Sequence, residues 1–307
     1  MVDSLTKRRL AEAELDALVR RALGVPLVAH VELTEGMFNT AYRLTAADGR
    51  ETVLKVAPPP DVPLLTYERD LMRTEALAFE LMAARGLPVP EVLLHEDGLL
   101  LMTALRGQPW SSARARLSDA EHGALRRELG AIARELHRIR GEVFGYVQGP
   151  NGATWREAFT AMVDAVLADA GRFGVELPAG VRAAFDARAD LLDEVTEPVL
   201  VHFDLWEANI FLADGHVEGI IDPERALFGD PLAEIATVAL FTDLDADYLA
   251  GYGVEGFTAA EETRIALYRA YLCLVMIVEG VPRGYAGEER EAHVRFFREK
   301  LAEYLGL

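Results

Sequence analysis

The chain has 307 residues, of which 51% are apolar, so it is long enough for more than one hydrophobic core and is not an intrinsically disordered protein. Its 31 basic and 50 acidic residues give a formal net charge of −19, which argues against nucleic acid as a partner. The single cysteine, Cys273, excludes an intrachain disulfide, and the longest uncharged apolar run, residues 270–278, is too short to cross a membrane. We therefore expect a cytoplasmic protein without a membrane partner.

The first third of the sequence predicts a small sheet accompanied by two helices. Apolar residues recur at helical spacing before Gly24, and glycine commonly ends a helix at such a position. Asp48-Gly49 is a strong hairpin signal between two segments of extended pattern. Helices are predicted at residues 4–23 and 66–85, and strands at residues 28–33, 40–44, 52–56, 91–94 and 99–103.

The rest of the sequence is mainly helical, apart from one predicted hairpin. Ser118 precedes an amphipathic segment and is a typical helix-capping residue. Because strands dominate the first third and helices the remainder, the predicted fold class is α+β, with a domain boundary near residues 104–109. The predicted domains are residues 1–105 and 106–307. Helices are predicted at residues 118–140, 155–173 and 178–194, and from residues 232, 259 and 288 onward.

Two neighbouring segments carry the side chains that suggest chemistry. They are H-F-D-L-W-E-A-N at residues 202–209 and G-I-I-D-P-E at residues 219–224, each flanked by short apolar runs. The apolar runs predict strands, so Asp204 and Asn209 share one loop and Asp222 ends a hairpin beside it. Phosphoryl transfer from a nucleotide needs a carboxylate facing the acceptor hydroxyl and oxygen ligands for Mg²⁺, which these side chains can supply. Alternatively, they only cap turns.

The two segments, followed by Gly229-Asp230-Pro231, resemble the aminoglycoside phosphotransferase family. That family is a small-molecule branch of the protein-kinase-like fold. Its pattern is usually H-G-D-x-x-x-x-N, and this sequence has Phe203 where glycine is usual. The resemblance implies two lobes: an N-terminal antiparallel sheet lobe with one long helix, and a mainly helical C-terminal lobe with a catalytic hairpin.

The resemblance also implies a role for each side chain of the motif. Asp204 is the expected catalytic base, which orients the acceptor hydroxyl and accepts its proton. Asn209 and Asp222 are the expected ligands of Mg²⁺, the metal that an all-oxygen set favours over zinc. ATP is the expected phosphate donor, with GTP as the alternative. His202 is expected to orient the loop by hydrogen bonds, and a general-base histidine is the alternative.

The first third contains the expected nucleotide site. Lys55 lies between apolar residues of the third predicted strand, where an exposed lysine is the ordinary interpretation. In the protein-kinase-like fold, however, a lysine of this strand holds the α- and β-phosphates and pairs with an acid of the following helix. Glu75 and Glu68 lie on nearly the same face of that predicted helix. Glu75 is favoured as the partner, because Glu68 lies near the helix start.

Two further segments are expected to contact the nucleotide by resemblance. The turn at residues 36–40 corresponds to the family's short G-x-x-N segment, whose backbone amides would cover the β- and γ-phosphates. An ordinary hairpin turn is the alternative. The linker after the fifth predicted strand is expected to bind the purine through backbone groups. The residues concerned are Phe38, Asn39 and Thr40 in the turn, and Met102, Thr103 and Leu105 in the linker.

Five other side chains near the motif have expected places. Asp230 is expected to anchor the catalytic loop through backbone hydrogen bonds, and Glu234 stands where the family commonly carries Asp. Glu224 either lines the metal site or caps a turn. Trp206 either forms a wall of the acceptor site or packs between lobes, and packing is favoured. Glu279 is a candidate to bind an acceptor amine, with a solvated helix face as the alternative.

The sequence therefore predicts an ATP-dependent, Mg²⁺-requiring O-phosphotransferase. The resemblance implies a hydroxyl of an amine-bearing antibiotic or a related metabolite as the acceptor, and a net charge of −19 would attract a cationic molecule, although many proteins are acidic simply for solubility. One alternative is a kinase of a metabolite such as fructosamine, a sugar, choline or homoserine. The other is a pseudokinase that binds nucleotide without catalysis.

Overall fold

The computed structural model of the chain describes residues 4–34, 36, 38–239 and 244–307. An antiparallel sheet lobe precedes a mainly helical lobe, so the predicted α+β fold class is confirmed. The boundary between residues 105 and 106 stays a prediction. The elements of the sheet lobe are, in chain order, α1 (Glu12–Leu23), β1 (Leu27–Leu33), β2 (Thr40–Ala46), β3 (Glu51–Val56), α2 (Leu71–Ala84), β4 (Val92–Glu96) and β5 (Leu99–Thr103).

The sheet of this lobe has the strand order β1-β2-β3-β5-β4, and all neighbouring strands are antiparallel. Side chains alternate between the two faces of a strand, and β3 follows this rule. Leu54 and Val56 are fully buried on the face that α1 covers. Val53 packs on the other face with Phe79 of α2. Lys55 shares the face of Val53, so the alternation directs its ammonium group towards α2.

The elements of the helical lobe are, in chain order, β6 (Gln108–Pro109), α3 (Trp110–Ala113), α4 (Asp119–Leu136), β7 (Phe144–Tyr146), β8 (Asn151–Gly152), α5 (Trp155–Arg172), α6 (Val181–Asp186), β9 (Val199–Val201), β10 (Ile210–Ala213), β11 (His216–Ile220), β12 (Leu227–Gly229), α7 (Ala233–Val238), α8 (Ala246–Tyr252), α9 (Ala259–Val278) and α10 (Glu288–Leu305). Two small sheets, β11-β10-β6 and β8-β7-β12-β9, lie among these helices. Helix α9 runs through the core, where Tyr268 and Tyr271 pack against Phe159 of α5. No described helix, α9 included, is long and apolar enough to cross a membrane.

The segment before α1 differs from the sequence prediction. One helix is predicted over residues 4–23, but α1 begins only at Glu12. Ser4 and Thr6 are buried, and the backbone N–H of Thr6 donates to the hydroxyl oxygen of Ser4 at 3.3 Å. Such local side-chain bonds offer the backbone an alternative to the helix, which is why these residues stay outside it. The predicted helix end is confirmed by the left-handed Gly24 (φ 76°).

The second helix also begins later than predicted. Residues 66–85 are predicted as one helix, but a 3₁₀ turn, Thr66–Glu68, comes first and α2 starts at Leu71. Asp70 separates the two with a left-handed backbone (φ 58°), which cannot continue a right-handed helix. Glu68 is therefore not on the α-helix that carries Glu75.

Two other helix predictions were wrong in extent, and several short elements were not predicted. The helix predicted at residues 118–140 ends at Leu136, and the helix predicted at residues 178–194 is divided into α6 and a 3₁₀ turn, Ala189–Glu194. Strands β6, β7, β8 and β12 and helix α8 have no counterpart in the sequence prediction. They are between two and seven residues long, which is too short for hydrophobic periodicity to identify them.

Asp230 connects α9 to the start of α7. Its carboxylate accepts hydrogen bonds from Arg264 Nε (2.8 Å), the hydroxyl of Tyr268 (2.6 Å) and the backbone N–H of Leu232 (3.0 Å). The expectation that Asp230 anchors the catalytic loop was therefore wrong, since its described partners lie on α9 and just before α7. A buried carboxylate needs this many donors to offset the loss of its hydration.

We expect Asp230→Asn to lower the free energy of unfolding by about 3 kcal/mol, because it removes one partner of a buried ion pair. The Arg264 side chain is 8% exposed and, among the described residues, would keep only Glu194 as an ion-pair partner, whose side chain is 51% exposed. Urea denaturation measures the effect, with Glu194→Gln as the control, for which we expect a loss below about 1 kcal/mol. Equal losses in the two variants would contradict the assignment.

Candidate active site

The loop at residues 202–209 joins β9 to β10 and is held in place by α7. The carboxylate of Glu234 accepts the backbone N–H groups of His202 (2.8 Å) and Phe203 (3.1 Å), and Thr237 Oγ1 accepts the N–H of Leu205 (3.2 Å). Burial tends to raise the pKa of Glu234, but His137 and His202 outweigh it and hold the pKa below its ordinary value. Glu234, whose role the sequence left undefined, is thus the anchor of this loop.

Phe203 occupies the position where the family usually has glycine, and its backbone explains that preference. Its φ is 57°, in the left-handed region, where a side chain costs about 1–2 kcal/mol. The ring is 2% exposed and its centroid lies 5.9 Å from that of Tyr271. Burial of an aromatic side chain contributes roughly 1.5–3 kcal/mol, which offsets the strain. The backbone course of the loop is thus kept without the glycine.

Asp204 and Asn209 contact each other within the loop. Asn209 Nδ2 donates to the carbonyl oxygen of Asp204 (2.9 Å) and to its Oδ2 (3.1 Å). With the amide nitrogen turned towards Asp204, Asn209 Oδ1 is the atom that can ligate a metal ion. Burial raises the pKa of Asp204, and Arg225 opposes that rise.

His202 fixes the position of the hairpin end against this loop. Its Nδ1 accepts the backbone N–H of Asp204 (3.2 Å), and its Nε2 contacts the carbonyl oxygen of Ile221 (3.0 Å). The N–H of Ile221 in turn donates to the carbonyl of Asn209 (2.9 Å), so Asp222 follows directly on a residue bound to the loop. Both ring nitrogens of His202 are engaged, which favours the orienting role over that of a general base.

Lys55 joins the sheet lobe to the hairpin. Its Nζ lies 2.6 Å from Glu75 Oε1 and 2.5 Å from Asp222 Oδ1. Burial would lower the pKa of Lys55, but Asp222 and Glu75 raise it above its ordinary value. Burial raises the pKa of Glu75 to about 7. Glu68, the alternative partner, instead forms a buried ion pair with Arg283.

A cluster of carboxylates surrounds the end of this ion pair. Oxygens of Glu75, Asp222 and Glu224 lie within 4.8 Å of one another, and Glu75 Oε2 is buried without a hydrogen-bond partner among the described residues. Asn39 Nδ2 donates to Glu224 Oε2 at 2.9 Å. Burial and, to a smaller extent, the negative charge of Asp222 raise the pKa of Glu224 to about 8. This all-oxygen set fits a hard cation such as Mg²⁺.

The turn before β2 lies beside this cluster. Phe38 and Asn39 are almost completely buried, and Thr40 begins β2 opposite Val56 of β3. Glu35 and Met37, which belong to the turn predicted from the sequence, lie outside the described residues. Covering of nucleotide phosphates by this turn stays a prediction.

The linker residues end β5 and approach the hairpin. Met102 pairs with Val53 of β3. The N–H of Thr103 donates to the backbone carbonyl just before β4, and the N–H of Ala104 donates to a backbone carbonyl of β3. The side chain of Leu105 packs on Gly219 of β11, where a Cβ would lie 2.7 Å from Leu105 Cδ1. Purine binding at this linker stays a prediction, and it would use the backbone of Leu105 or the linker carbonyls.

Glu279 is not available to an acceptor amine in this structure. It is 3% exposed and forms ion pairs with Arg225 (2.9 Å) and Arg283 (3.1 Å). The expectation that it binds substrate was therefore wrong, because both guanidinium groups already neutralise it. Trp206, in contrast, leaves 38% of its surface exposed, so packing accounts for only part of its surface.

These residues combine a lysine–glutamate pair on a sheet lobe with an Asp-Asn loop and a hairpin aspartate on a helical lobe. That combination defines a phosphotransferase of the protein-kinase-like fold. Residues 30–268 match the model of the phosphotransferase enzyme family, APH. The chain belongs to this family, and it is a kinase that acts on a hydroxyl group of a small molecule.

Solved structures share the fold over almost their whole length. A putative fructosamine-3-kinase from Thermobifida fusca YX-ER1 is 23% identical with a TM-score of 0.69, over 94% of this chain and 98% of that one. A thermostable mutant of aminoglycoside phosphotransferase APH(4)-Ia, in a ternary complex with AMP-PNP and hygromycin B, is 18% identical with a TM-score of 0.66, over 95% and 98%. The macrolide 2'-phosphotransferase MphH from Brachybacterium faecium is 18% identical with a TM-score of 0.60, over 94% and 97%. Among curated proteins, the search gave no match.

We expect Glu234→Gln to lower kcat about 10- to 100-fold while the KM for the nucleotide stays within about twofold. The amide has one acceptor oxygen for two backbone N–H groups, so the loop and Asp204 shift, and small misplacements are costly in catalysis. Steady-state kinetics measure the change. Glu261→Gln, in the exposed cap of α9, is the matched control. An unchanged kcat in Glu234→Gln would show that the anchor does not matter for turnover.

Proposed function

We propose that the protein transfers the γ-phosphate of ATP, with Mg²⁺, to a hydroxyl of an amine-bearing antibiotic or related metabolite. The observation that supports this most directly is that Asp222 pairs with Lys55, while Ile221 beside it is bonded to the loop that carries Asp204 and Asn209. Each atom type required for phosphoryl transfer is present there: a cation for the phosphates, oxygen ligands for a metal, and a carboxylate for the acceptor.

Each residue then has a defined task. Lys55, oriented by Glu75, binds the α- and β-phosphates when they replace Asp222 as its partner. Asn209 and Asp222 are the residues that would hold Mg²⁺, which would supply neutralisation of the phosphate charge. Asp204 orients the acceptor hydroxyl and accepts its proton, and its raised pKa suits proton transfer because the group is a better base than an exposed aspartate.

Two classes of acceptor remain candidates. An amine-bearing antibiotic is supported by the net charge of −19, which draws cations towards the protein. A metabolite such as a fructosamine or another sugar derivative is the other candidate, and the pairing of Glu279 with Arg225 and Arg283 leaves that carboxylate unavailable to an amine. Trp206, two residues after Asp204 in the sequence, is 38% exposed and is an aromatic side chain of the kind that packs on sugars.

A screen that measures ADP release decides between these acceptors. Aminoglycosides, macrolides, fructosamines, simple sugars, choline and homoserine are each offered with ATP and Mg²⁺. Turnover with an antibiotic supports the first candidate, and turnover only with fructosamines or sugars supports the second. ATP binding without turnover on any hydroxyl compound would favour a pseudokinase and refute the proposal.

We expect Asp204→Ala to lower kcat by at least about 100-fold, because the acceptor hydroxyl loses the group that orients it and accepts its proton. Affinity for ATP, measured by calorimetry, should stay within about twofold of the wild-type value. Asp190→Ala is the control, since the Asp190 side chain is 94% exposed on the helical lobe. Full activity of Asp204→Ala would refute the catalytic role.

We expect Asp222→Asn to weaken Mg²⁺-dependent ATP binding about tenfold or more, because the charged metal ligand becomes a neutral one. Titration with ATP in the presence and absence of Mg²⁺ measures this. In the absence of metal the variant should bind ATP at least as tightly as the wild-type protein, because the substitution removes the carboxylate charge that competes with the phosphates for Lys55. An Mg²⁺ dependence equal to that of the wild-type protein would contradict the assignment of Asp222 as a ligand.

A further inference from the structure

The residues before α1 form a buried segment that packs against the turn between β1 and β2. We call residues 4–7 the N-terminal segment, and Gly36, Phe38 and Asn39 the β1–β2 turn. Ser4 is 6% exposed and Thr6 is fully buried. The N–H of Leu5 donates to the carbonyl of Arg283, which fixes the segment on the helical lobe.

The N-terminal segment binds three carbonyl groups of the β1–β2 turn. Lys7 Nζ donates to the carbonyl oxygens of Gly36 (2.6 Å) and Asn39 (2.5 Å). Thr6 Oγ1 donates to the carbonyl oxygen of Phe38 (2.6 Å). A hydrogen bond to a carbonyl oxygen is stronger when its donor is ionised. The ammonium group of Lys7 therefore contributes more than a neutral side chain would. The outer side of the turn is thereby held by two consecutive residues.

The opposite side of the turn faces the carboxylate cluster. In a planar trans peptide the carbonyl and the N–H point in opposite directions. Because Thr6 binds the carbonyl of Phe38, the N–H of Asn39 points away from the N-terminal segment. The side chain of Asn39 reaches Glu224, which belongs to the cluster of Asp222. The hydrogen bonds of the N-terminal segment thus determine which side of the turn faces the nucleotide cleft.

A second contact holds the turn from the helical lobe. The guanidinium group of Arg283 lies over the ring of Phe38, 4.8 Å from its centroid. Arg283 is itself fixed by ion pairs with Glu68 and Glu279. The same residue supplies the carbonyl that binds Leu5, so the segment, the turn and the helical lobe form one connected unit.

We propose that Thr6 and Lys7 are positioning residues for the phosphates of the nucleotide, which act by orienting the backbone of the β1–β2 turn. This inference rests on the proposed function, because it assumes a nucleoside triphosphate in the cleft. It assigns a role in donor binding to residues outside the matched family region, which begins at residue 30. The turn is the segment expected to cover the phosphates and the linker after β5 the one expected to bind the purine, so we expect only phosphate-bearing ligands to depend on Thr6 and Lys7.

Lys7→Met tests the contribution of the ammonium group. We expect the affinity for ATP and for AMP-PNP, measured by calorimetry, to fall about tenfold, in line with the loss of charge-assisted hydrogen bonds. Affinity for adenosine should stay within about twofold, and kcat should change less than KM for ATP. Lys300→Met is the matched control, because Lys300 pairs with Glu303 on the exposed side of α10.

Thr6→Val and Thr6→Ser test the hydroxyl contact. Valine keeps the shape of threonine without the donor, so we expect ATP affinity to fall about threefold to tenfold. Serine keeps the donor, and we expect it to restore most of the affinity. Thermal unfolding is measured on each variant to detect a general loss of folding. Such a loss would weaken the binding of adenosine as much as that of ATP.

The outcomes separate this inference from the function on which it rests. A wild-type protein that binds no ATP would refute both. A wild-type protein that binds ATP, with unchanged ATP affinity in Lys7→Met and Thr6→Val, would refute the positioning role alone. Equal losses for ATP and adenosine would also refute it, since that result indicates only a structural role. A loss confined to phosphate-bearing ligands, restored by Thr6→Ser, supports it.

Discussion

The ion pairs of Lys55 are the constraint on which the arrangement of the site depends. One ammonium group bonds Glu75 on α2 and Asp222 after β11, so three separate parts of the chain meet at a single buried charge. A buried charge without a partner costs several kcal/mol, and each of the three therefore stabilises the others. The Asp222 side chain is 33% exposed, whereas that of Glu75 is fully buried. Asp222 is therefore the partner of Lys55 that a ligand can replace.

Buried charges elsewhere in the molecule serve the architecture. Glu68 and Glu279 neutralise Arg283, Asp230 binds Arg264, and Glu234 binds the catalytic loop. These acids count towards the net charge of −19 but are not displayed to a substrate. The overall charge thus describes attraction at a distance and not the charges that a bound molecule would meet.

Local patterns in the sequence predicted the sheet lobe and the long helices well, because alternation, Asp-Gly turns and capping residues act over a few positions. The β2–β3 hairpin and the Ser118 cap of α4 are examples. Burial of Ser4 and Thr6 could not be predicted, since their partners are the turn at Phe38 and the carbonyl of Arg283, which lies 279 residues away from Ser4. The pairing of Glu279 with Arg225, 54 residues away, was missed for the same reason, whereas Arg283 is only four residues from Glu279. Amphipathic spacing shows that a face is buried, and it does not identify what covers a polar group.

Phe203 connects the chemistry of the loop to the packing of the helical core. A glycine at this position would give the backbone its left-handed turn and nothing more, whereas the phenylalanine inserts a ring against Tyr271 of α9. The carboxylate of Asp204 is one residue away from that ring. A change of side-chain volume around Tyr271 would therefore act on the backbone next to Asp204, so the packing of the helical lobe and the geometry of the loop are physically coupled.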